Sequence, residues 1–524
     1  MINKQIPIID LFAGPGGLGE GFTSVVDKSN NRFFRIALSI ERDEFAHKTL
    51  TLRSFLRQFP FKKFPPEYYQ FVRGKIADVE ELYNLYPKQA EAAKHEAWQF
   101  SLGRQEDHKE IDKRIREGLK GEKNFVLIGG PPCQAYSLVG RARRQEVKGL
   151  NKEDERVYLY REYYRILAVH QPPVFIMENV KGLLSSKVDN QSIFRQLIQD
   201  LQNPVESYKK LEGKAEVKSK IRYKIFSLVK KPLEYDLIDG SPIYNPKDYI
   251  IHAEKYGIPQ TRHRVILLGI RNDIDIIPDI LQTGDKLIPV EKVIEGLPAL
   301  RSGLSKTKDG KQEWKEALEA IKKTSLRSQI DKDVWERMIQ VVSNLSLPRK
   351  DRGKDFLDFD VNVDYMKTWY LDDKLKGVCN HATRSHIVQD LYRYLFVSCF
   401  AKVKGRSPKL SDFPLLLLPK HENVGKGVEE NKFADRFRTQ LYGEPSKTVT
   451  SHISKDGHYF IHPDSAQCRS LTVREAARIQ TFPDNYYFCG PRTQQFHQVG
   501  NAVPPLLAKQ IAQIISAIMM QSIS

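Results

Sequence analysis

Cysteine is the side chain best suited to covalent chemistry, and one of the five in this chain stands in a telling place. The apolar run Phe125 to Ile128 leads into Gly129-Gly130-Pro131-Pro132-Cys133-Gln134, which puts Cys133 in a stiff Pro-Pro loop at the end of an expected strand. In open α/β sheets ligands bind at that edge. A thiolate is a strong nucleophile, and backbone N–H groups with nearby arginines lower its pKa. A cysteine that only filled a core would not need this setting. A second apolar run, Val174 to Met177, delivers Glu178-Asn179-Val180 at its end. A carboxylate directly after a buried strand is costly without a partner. Cys133 and Glu178 therefore read as a nucleophile and an acid on adjacent strand ends. A third segment, Gln260-Thr261-Arg262-His263-Arg264, enters the apolar run Val265 to Ile270. Alternation along an extended chain puts Gln260, Arg262 and Arg264 on one face, where two guanidiniums can orient a carbonyl and stabilise an anion.

A ligand site is also written near the N-terminus. Ile6 to Phe12 runs into Ala13-Gly14-Pro15-Gly16-Gly17-Leu18-Gly19, and Glu41 closes the next apolar run, Arg35 to Ile40. A strand, a G-x-G-x-x-G turn, a helix and then an acid after the second strand form the pattern that binds a nucleotide, the acid taking ribose hydroxyls. The pattern does not separate nicotinamide from other adenosine-bearing cofactors.

These residues need a scaffold, and the sequence supplies one. Short apolar runs alternate with helical stretches such as Val157 to Val169, which predicts βαβ units and a parallel sheet. Between Glu41 and Phe125 lie charged, helix-prone stretches, Val79 to Tyr86 and Lys88 to Phe100, which predict a helical insertion over about 51–122. The rhythm stops near residue 285. The following stretch, to about 465, is mixed in character and predicts a separate domain. The chain is expected to close with two helices. Thr472-Val473-Arg474-Glu475 is a capping box opening the first, which Phe482-Pro483 stops. Pro504-Pro505 opens the second, with Leu507, Ile511, Ile514, Ile515 and Ile518 on one face.

With 524 residues, the chain has material for two or three domains. Hydrophobic residues at 40% and aromatics at 10% exclude a disordered chain. Five dispersed cysteines without a C-x-x-C pair argue against a disulfide framework and fit a reducing cytoplasm. No apolar run reaches the roughly 18–20 residues needed to span a bilayer, so a soluble protein with no membrane partner is expected. No metal is expected either: Cys379 with His381 and His386 is an incomplete ligand set. The formal charge of +18 calls for a partner, and nucleic acid is one candidate. Leu391 to Leu410, with Arg393, Lys402, Lys404, Arg406 and Lys409 and no acid, carries part of it.

Taken together, the motifs resemble those of the DNA cytosine-5 methyltransferases. The matching blocks are Asp10-Leu11-Phe12-Ala13-Gly14-x-Gly16-Gly17, Pro131-Pro132-Cys133-Gln134 with Ser137, Glu178-Asn179-Val180 and Gln260-x-Arg262-x-Arg264. Leu471-Thr472-x-Arg474-Glu475-x-Ala477-Arg478-x-Gln480-x-Phe482-Pro483 and Gln498-Val499-Gly500-Asn501-x-Val503-Pro504 follow. Six blocks in the family's order reach both ends of the chain, and five of them have no counterpart in a nicotinamide dehydrogenase.

The resemblance implies an α/β fold: an S-adenosylmethionine-dependent, Rossmann-like sheet domain over 1–285 and a smaller mixed target-recognition domain over 286–465. It returns 466–524 to the catalytic domain. It implies S-adenosylmethionine in the glycine-rich site, bounded by Phe12, Ala13, Gly14, Gly16, Gly17, Glu41, Leu159 and Asn501. Phe12 would pack on the adenine and Asn501 would close the site. Arg42 stands where an aromatic often stacks, and Gly74-Lys75-Ile76, with Asp78 close by, would fall at the family's acidic adenine contact. The implied reaction adds Cys133 to C6 of a flipped-out cytosine, with Glu178 near N3 and Arg264 and Arg262 at O2. Gln134, Ser137, Arg141 and Arg143 would contact double-stranded DNA. Asn380-His381, Arg384-Ser385-His386 and Asp435-Arg436-Phe437-Arg438 offer side chains suited to base edges or phosphates. A monomer is expected, acting as the modification arm of a bacterial restriction-modification system with a cognate endonuclease as its functional partner. The alternatives are an RNA cytosine methyltransferase on the same scaffold and a non-catalytic DNA-binding relative. The intact Cys133, Glu178 and arginine pair argue against the latter.

Overall fold

The computed structural model describes residues 5–132, 159–185, 187–188, 191–212, 219–419, 436–455 and 457–523. Eight strands form its central sheet: β1 (Ile6–Leu11), β2 (Phe34–Glu41), β3 (Ala97–Gln99), β4 (Val126–Gly129), β5 (Val174–Val180), β6 (Tyr223–Phe226), β7 (Ile250–His252) and β8 (His263–Arg271). The order runs β7-β8-β5-β4-β1-β2-β3, with β6 also paired to β8. β3, β2, β1, β4 and β5 are parallel, whereas β8 runs antiparallel to β5, β6 and β7. The chain order reverses at β1, between β2 and β4, which opens a crevice at the carboxyl ends of these strands.

Both faces of the sheet are covered, so successive strand residues are apolar in both directions. Ile8, Ile128, Ile176 and Leu268 pack under the C-terminal helices, with Ala476, Leu507, Ile511 and Ile515. Ile9, Leu127, Met177 and Leu267 pack on the other face with Ile111, Tyr163 and Leu167. The helical stretch Arg492–Ser522 is long and apolar enough by composition to cross a membrane, but 67% of its apolar window is buried inside the fold. It is a core element.

Three expectations are corrected here. The 51–122 stretch is not helical throughout: the helix Pro87–Glu96 passes directly into β3, a strand of the main sheet. Three helices close the chain, not two, because Arg492–Asn501 stands between Val473–Ile479 and Pro505–Ile523. Residues from the 286–465 stretch also join the sheet layer, among them Val290, Tyr370 and Val449. Another set of its apolar residues, including Trp314, Met338, Tyr394 and Phe413, builds a core apart from the sheet.

The capping box is formed. Thr472 N donates to Glu475 Oε2 (2.7 Å), and Glu475 N donates to Thr472 Oγ1 (3.2 Å). Glu475 is also gripped by Arg469 through two bonds of 2.7 and 2.8 Å. Arg478 holds Asp484 in the same manner and donates to the carbonyls of Val293 and Asn362. The conspicuous arginines of this block therefore tie elements together inside the protein.

Candidate active site

The crevice at the carboxyl ends of β1, β4 and β5 is an open cleft of about 520 Å³. β1 runs into Phe12, whose φ of 57° is left-handed, a conformation that costs a non-glycine residue about 1–3 kcal/mol. The turn that follows is fixed by Glu41: Oε2 accepts from Gly14 N at 2.8 Å and Oε1 from Asp43 N at 2.7 Å. Burial pushes the Glu41 carboxyl above its ordinary pKa. A carboxylate has about four acceptor sites, so Glu41 can still take a hydrogen bond from a ligand.

Gly17 opens the helix α1 (Gly17–Thr23) and meets the C-terminal segment at very close range. A Cβ at Gly17 would lie 2.4 Å from the Val503 carbonyl oxygen, and one at Gly21 would lie 2.4 Å from Ala508 Cβ. The pairing of the glycine turn with the Gln498 to Pro504 block is thus a packing requirement, although the two lie at opposite ends of the chain. Gly16 caps α1 with φ 94° and does not line the cleft. Phe12, Ala13, Gly14, Gly17, Glu41, Leu159 and Asn501 do. The far wall is Phe100, Ser101 and Leu102, which follow β3, with Arg42 between. Lys75 and Asp78 belong instead to the region of the helices Pro66–Val72 and Val79–Leu85, away from this wall. Sequence reading missed Phe100 and Ser101 because a three-residue strand leaves no alternation to detect.

The opposite end of the cleft is polar. β4 delivers Gly130, Pro131 and Pro132, and β5 delivers Glu178 and Asn179 beside them. A Cβ at Gly130 would come within 3.0 Å of Glu178 Oε2, so the loop passes close over the carboxylate. Arg264 Nε bridges to Glu178 Oε1 at 2.9 Å, with side chains 16% and 14% exposed. Arg264 Nη1 donates to the His263 carbonyl. Asn179 Nδ2 donates to the Pro131 carbonyl at 3.2 Å, while its Oδ1 accepts from Val180 N. This amide fastens the Pro-Pro loop to β5.

Arg262 lines the same cleft as Arg264 but is anchored differently. It is 2% exposed, and its Nη1 is committed to the carbonyls of Val449 and Gly500 at 2.8 and 3.3 Å. Burial first, then the nearby Arg264, holds its pKa well below the usual arginine value. Gln260 is similarly enclosed, donating to Ile479 O and Gln480 Oε1 and accepting from Val449 N. These two bind the 446–450 segment and the C-terminal helices to the sheet. Cys133, Gln134, Ser137, Arg141 and Arg143 lie outside the described residues, as does Asp435.

Several residues expected to meet nucleic acid are occupied within the fold. Asn380 exchanges hydrogen bonds with the Phe488 backbone, and His381 is held by Thr472 Oγ1 and the Pro298 carbonyl. With both ring nitrogens engaged, His381 cannot complete a metal set with Cys379. His386 is buried, and Arg384 packs 4.2 Å over the Phe496 ring. Within the basic stretch, Arg393 is buried with Asp390, Lys404 pairs with Asp331 and Arg406 with Asp412.

An apolar cleft at the strand-order switch, with a half-buried acid on the β2 end and glycines on the β1 turn, fits an adenosine-bearing ligand. With the antiparallel β8 beside β5, this is a Rossmann-like methyltransferase sheet. The family described as C-5 cytosine-specific DNA methylase matches residues 89–206 and 238–517. The chain is 30% identical to Type II methyltransferase M.Bpa9945I of Bacillus paralicheniformis over 533 aligned residues, covering 97% of this chain and 98% of that protein. It is 28% identical to DNA (cytosine-5-)-methyltransferase M.ApeKI of Aeropyrum pernix, over 77% of this chain and 83% of the other. Type II methyltransferase M.DdeI of Desulfomicrobium norvegicum is 26% identical over 74% of this chain and 72% of its own. The chain belongs to the C-5 cytosine-specific DNA methylases.

Proposed function

We propose that the protein methylates C5 of cytosine at one sequence in double-stranded DNA, as the modification enzyme of a type II restriction-modification system. The observation that carries the reading is one continuous cleft with the glycine turn and Glu41 at one end and the Glu178–Arg264 pair beside the Pro-Pro loop at the other. Relatives named type II methyltransferases align over nearly the whole chain.

S-adenosylmethionine is the donor this cleft suits, and when bound it supplies an electrophilic methyl group. Glu41 would accept hydrogen bonds from its ribose, Phe12 and Leu159 would pack on its apolar parts, and Asn501 borders the site. Gly14 and Gly17 allow the close approach of backbone, and Gly16 sets the turn. Cytosine C5 is a weak nucleophile until something adds to C6. Cys133 is bonded to Pro132 at the cleft wall and provides that nucleophile. As its sulfur bonds to C6, electrons shift into the ring, and Glu178 holds a proton at N3 to take up the developing charge. Arg264 keeps Glu178 in place and reaches toward O2. Arg262 positions the strand that carries Arg264. Once C5 carries the donated methyl group, a base takes the C5 proton, the C5–C6 double bond re-forms, and the C6–S bond breaks to return the thiolate. The base must leave the duplex stack to enter the cleft. Gln134, Ser137, Arg141 and Arg143 contact the DNA around it. The protein acts as a cytoplasmic monomer, and its endonuclease is a functional partner only.

The test uses a duplex with fluorine at C5 of the target cytosine. No proton can leave that carbon, so the Cys133 adduct accumulates as a denaturant-stable protein–DNA band. Cys133→Ser forms no such band and still binds S-adenosylmethionine. A band of equal intensity in Cys133→Ser overturns the covalent route.

A further inference from the structure

His252 and His263 are cross-strand partners where β7 meets β8, and Glu254 follows two residues after His252. Their ligand atoms all lie within 4.8 Å of one another, the one such group of three among the described residues. His263 Nε2 is 2.9 Å from Glu254 Oε1, and His252 Nδ1 is 3.8 Å from the same oxygen. The two imidazole rings lie 4.1 Å apart, centroid to centroid. A shared proton serves one of these histidines well. It leaves His252 beyond hydrogen-bond range, and Glu254 Oε2 is buried without a partner.

The geometry points to a site for a divalent transition metal of the zinc class, held by His252, Glu254 and His263. Zinc takes imidazole nitrogens and carboxylate oxygens at about 2.0–2.2 Å, and three such donors leave a fourth position for water. Paired strands fix both histidines before any ion arrives. Lys181 and Lys255 bring positive charge nearby. With one carboxylate among the three donors, the set is too poor in oxygen for a hard cation such as Mg²⁺. Arg264 donates to the His263 carbonyl, so the ion sits one residue from the Glu178 partner and would pin the β7 edge against the strand that carries it.

The experiment strips the full-length protein with chelator and titrates it calorimetrically with Zn²⁺, then with Mg²⁺. Co²⁺ titration in parallel follows visible absorption. The expected result is one Zn²⁺ per chain, a tetrahedral Co²⁺ spectrum, a higher melting temperature with Zn²⁺ and no Mg²⁺ binding. His252→Asn and Glu254→Gln each weaken Zn²⁺ at least tenfold, while melting like the parent in chelator. His252 is 41% exposed, so its variant decides the matter even if Glu254→Gln fails to fold. Absence of saturable Zn²⁺ binding, or binding unchanged in His252→Asn, overturns the assignment and leaves a hydrogen-bonded His–Glu pair.

Discussion

Glu178→Gln separates the chemical role of this carboxylate from its structural one. Glutamine keeps the size and one acceptor oxygen but can neither hold a proton for N3 nor carry the charge that Arg264 faces at 2.9 Å. Both side chains are about one-sixth exposed or less, so the bond is sheltered, and its loss costs about 1.5–3 kcal/mol of stability as a charge-assisted contact. Proton transfer by a positioned side chain accelerates a reaction by about 10²–10⁴, or about 2.7–5.5 kcal/mol at about 1.36 kcal/mol per decade. The two losses appear in different measurements and are separable even where their ranges meet. In a single-turnover assay with labelled methyl donor and saturating duplex, the rate should fall by about 10²–10⁴. Donor affinity by calorimetry should stay within a factor of two or so, because Glu178 lies at the other end of the cleft from Glu41. A rate within tenfold of the parent would refute the assignment. So would a loss of rate matched by equal loss of donor binding.

Asn179→Ala frees the Pro131 carbonyl from its tether, and misplacement of the loop should lower kcat by about tenfold to a hundredfold with donor KM unchanged. An unaltered kcat contradicts the role. Gly17→Ala drives a methyl group into the Val503 carbonyl and should cost about 1–3 kcal/mol in denaturant melts while weakening donor binding; a parent-like midpoint counts against it. Burial raises the Asp10 carboxyl to about 8, from 3.8 in the unfolded chain. The native protein then keeps a proton that the unfolded chain releases, so this group makes stability fall by about 1.4 kcal/mol per unit as pH rises between those values. Asp10→Asn should remove that slope, gaining on the parent at pH near 8 relative to pH near 5 in urea midpoints. Parallel pH curves would show that Asp10 is not the cause.

The site was legible where chemistry and backbone geometry coincide. Glycines at a strand-to-helix turn, an acid at the β2 end and a Pro-Pro-Cys loop after β4 are local patterns with local physical reasons, and the described members other than Gly16 fall on one cleft. What failed were inferences from side-chain type alone. Asn380 and His381 look exposed and polar in the sequence, yet each is buried with backbone or side-chain partners that only the tertiary fold supplies. In the basic stretch, Lys404 and Arg406 likewise find counter-charges, Asp331 and Asp412, that lie outside it in sequence. β3 escaped because the preceding helix runs into it without a turn. The His252, Glu254 and His263 cluster escaped because cross-strand register, not spacing, brings it together.

The most direct measurement expresses the protein in a host without cytosine methylation and sequences its bisulfite-treated DNA and RNA. Unconverted cytosines confined to one short sequence in the DNA, absent from RNA and lost in Cys133→Ser, are the predicted result. Complete conversion of the DNA, with protected cytosines in RNA, would contradict the account.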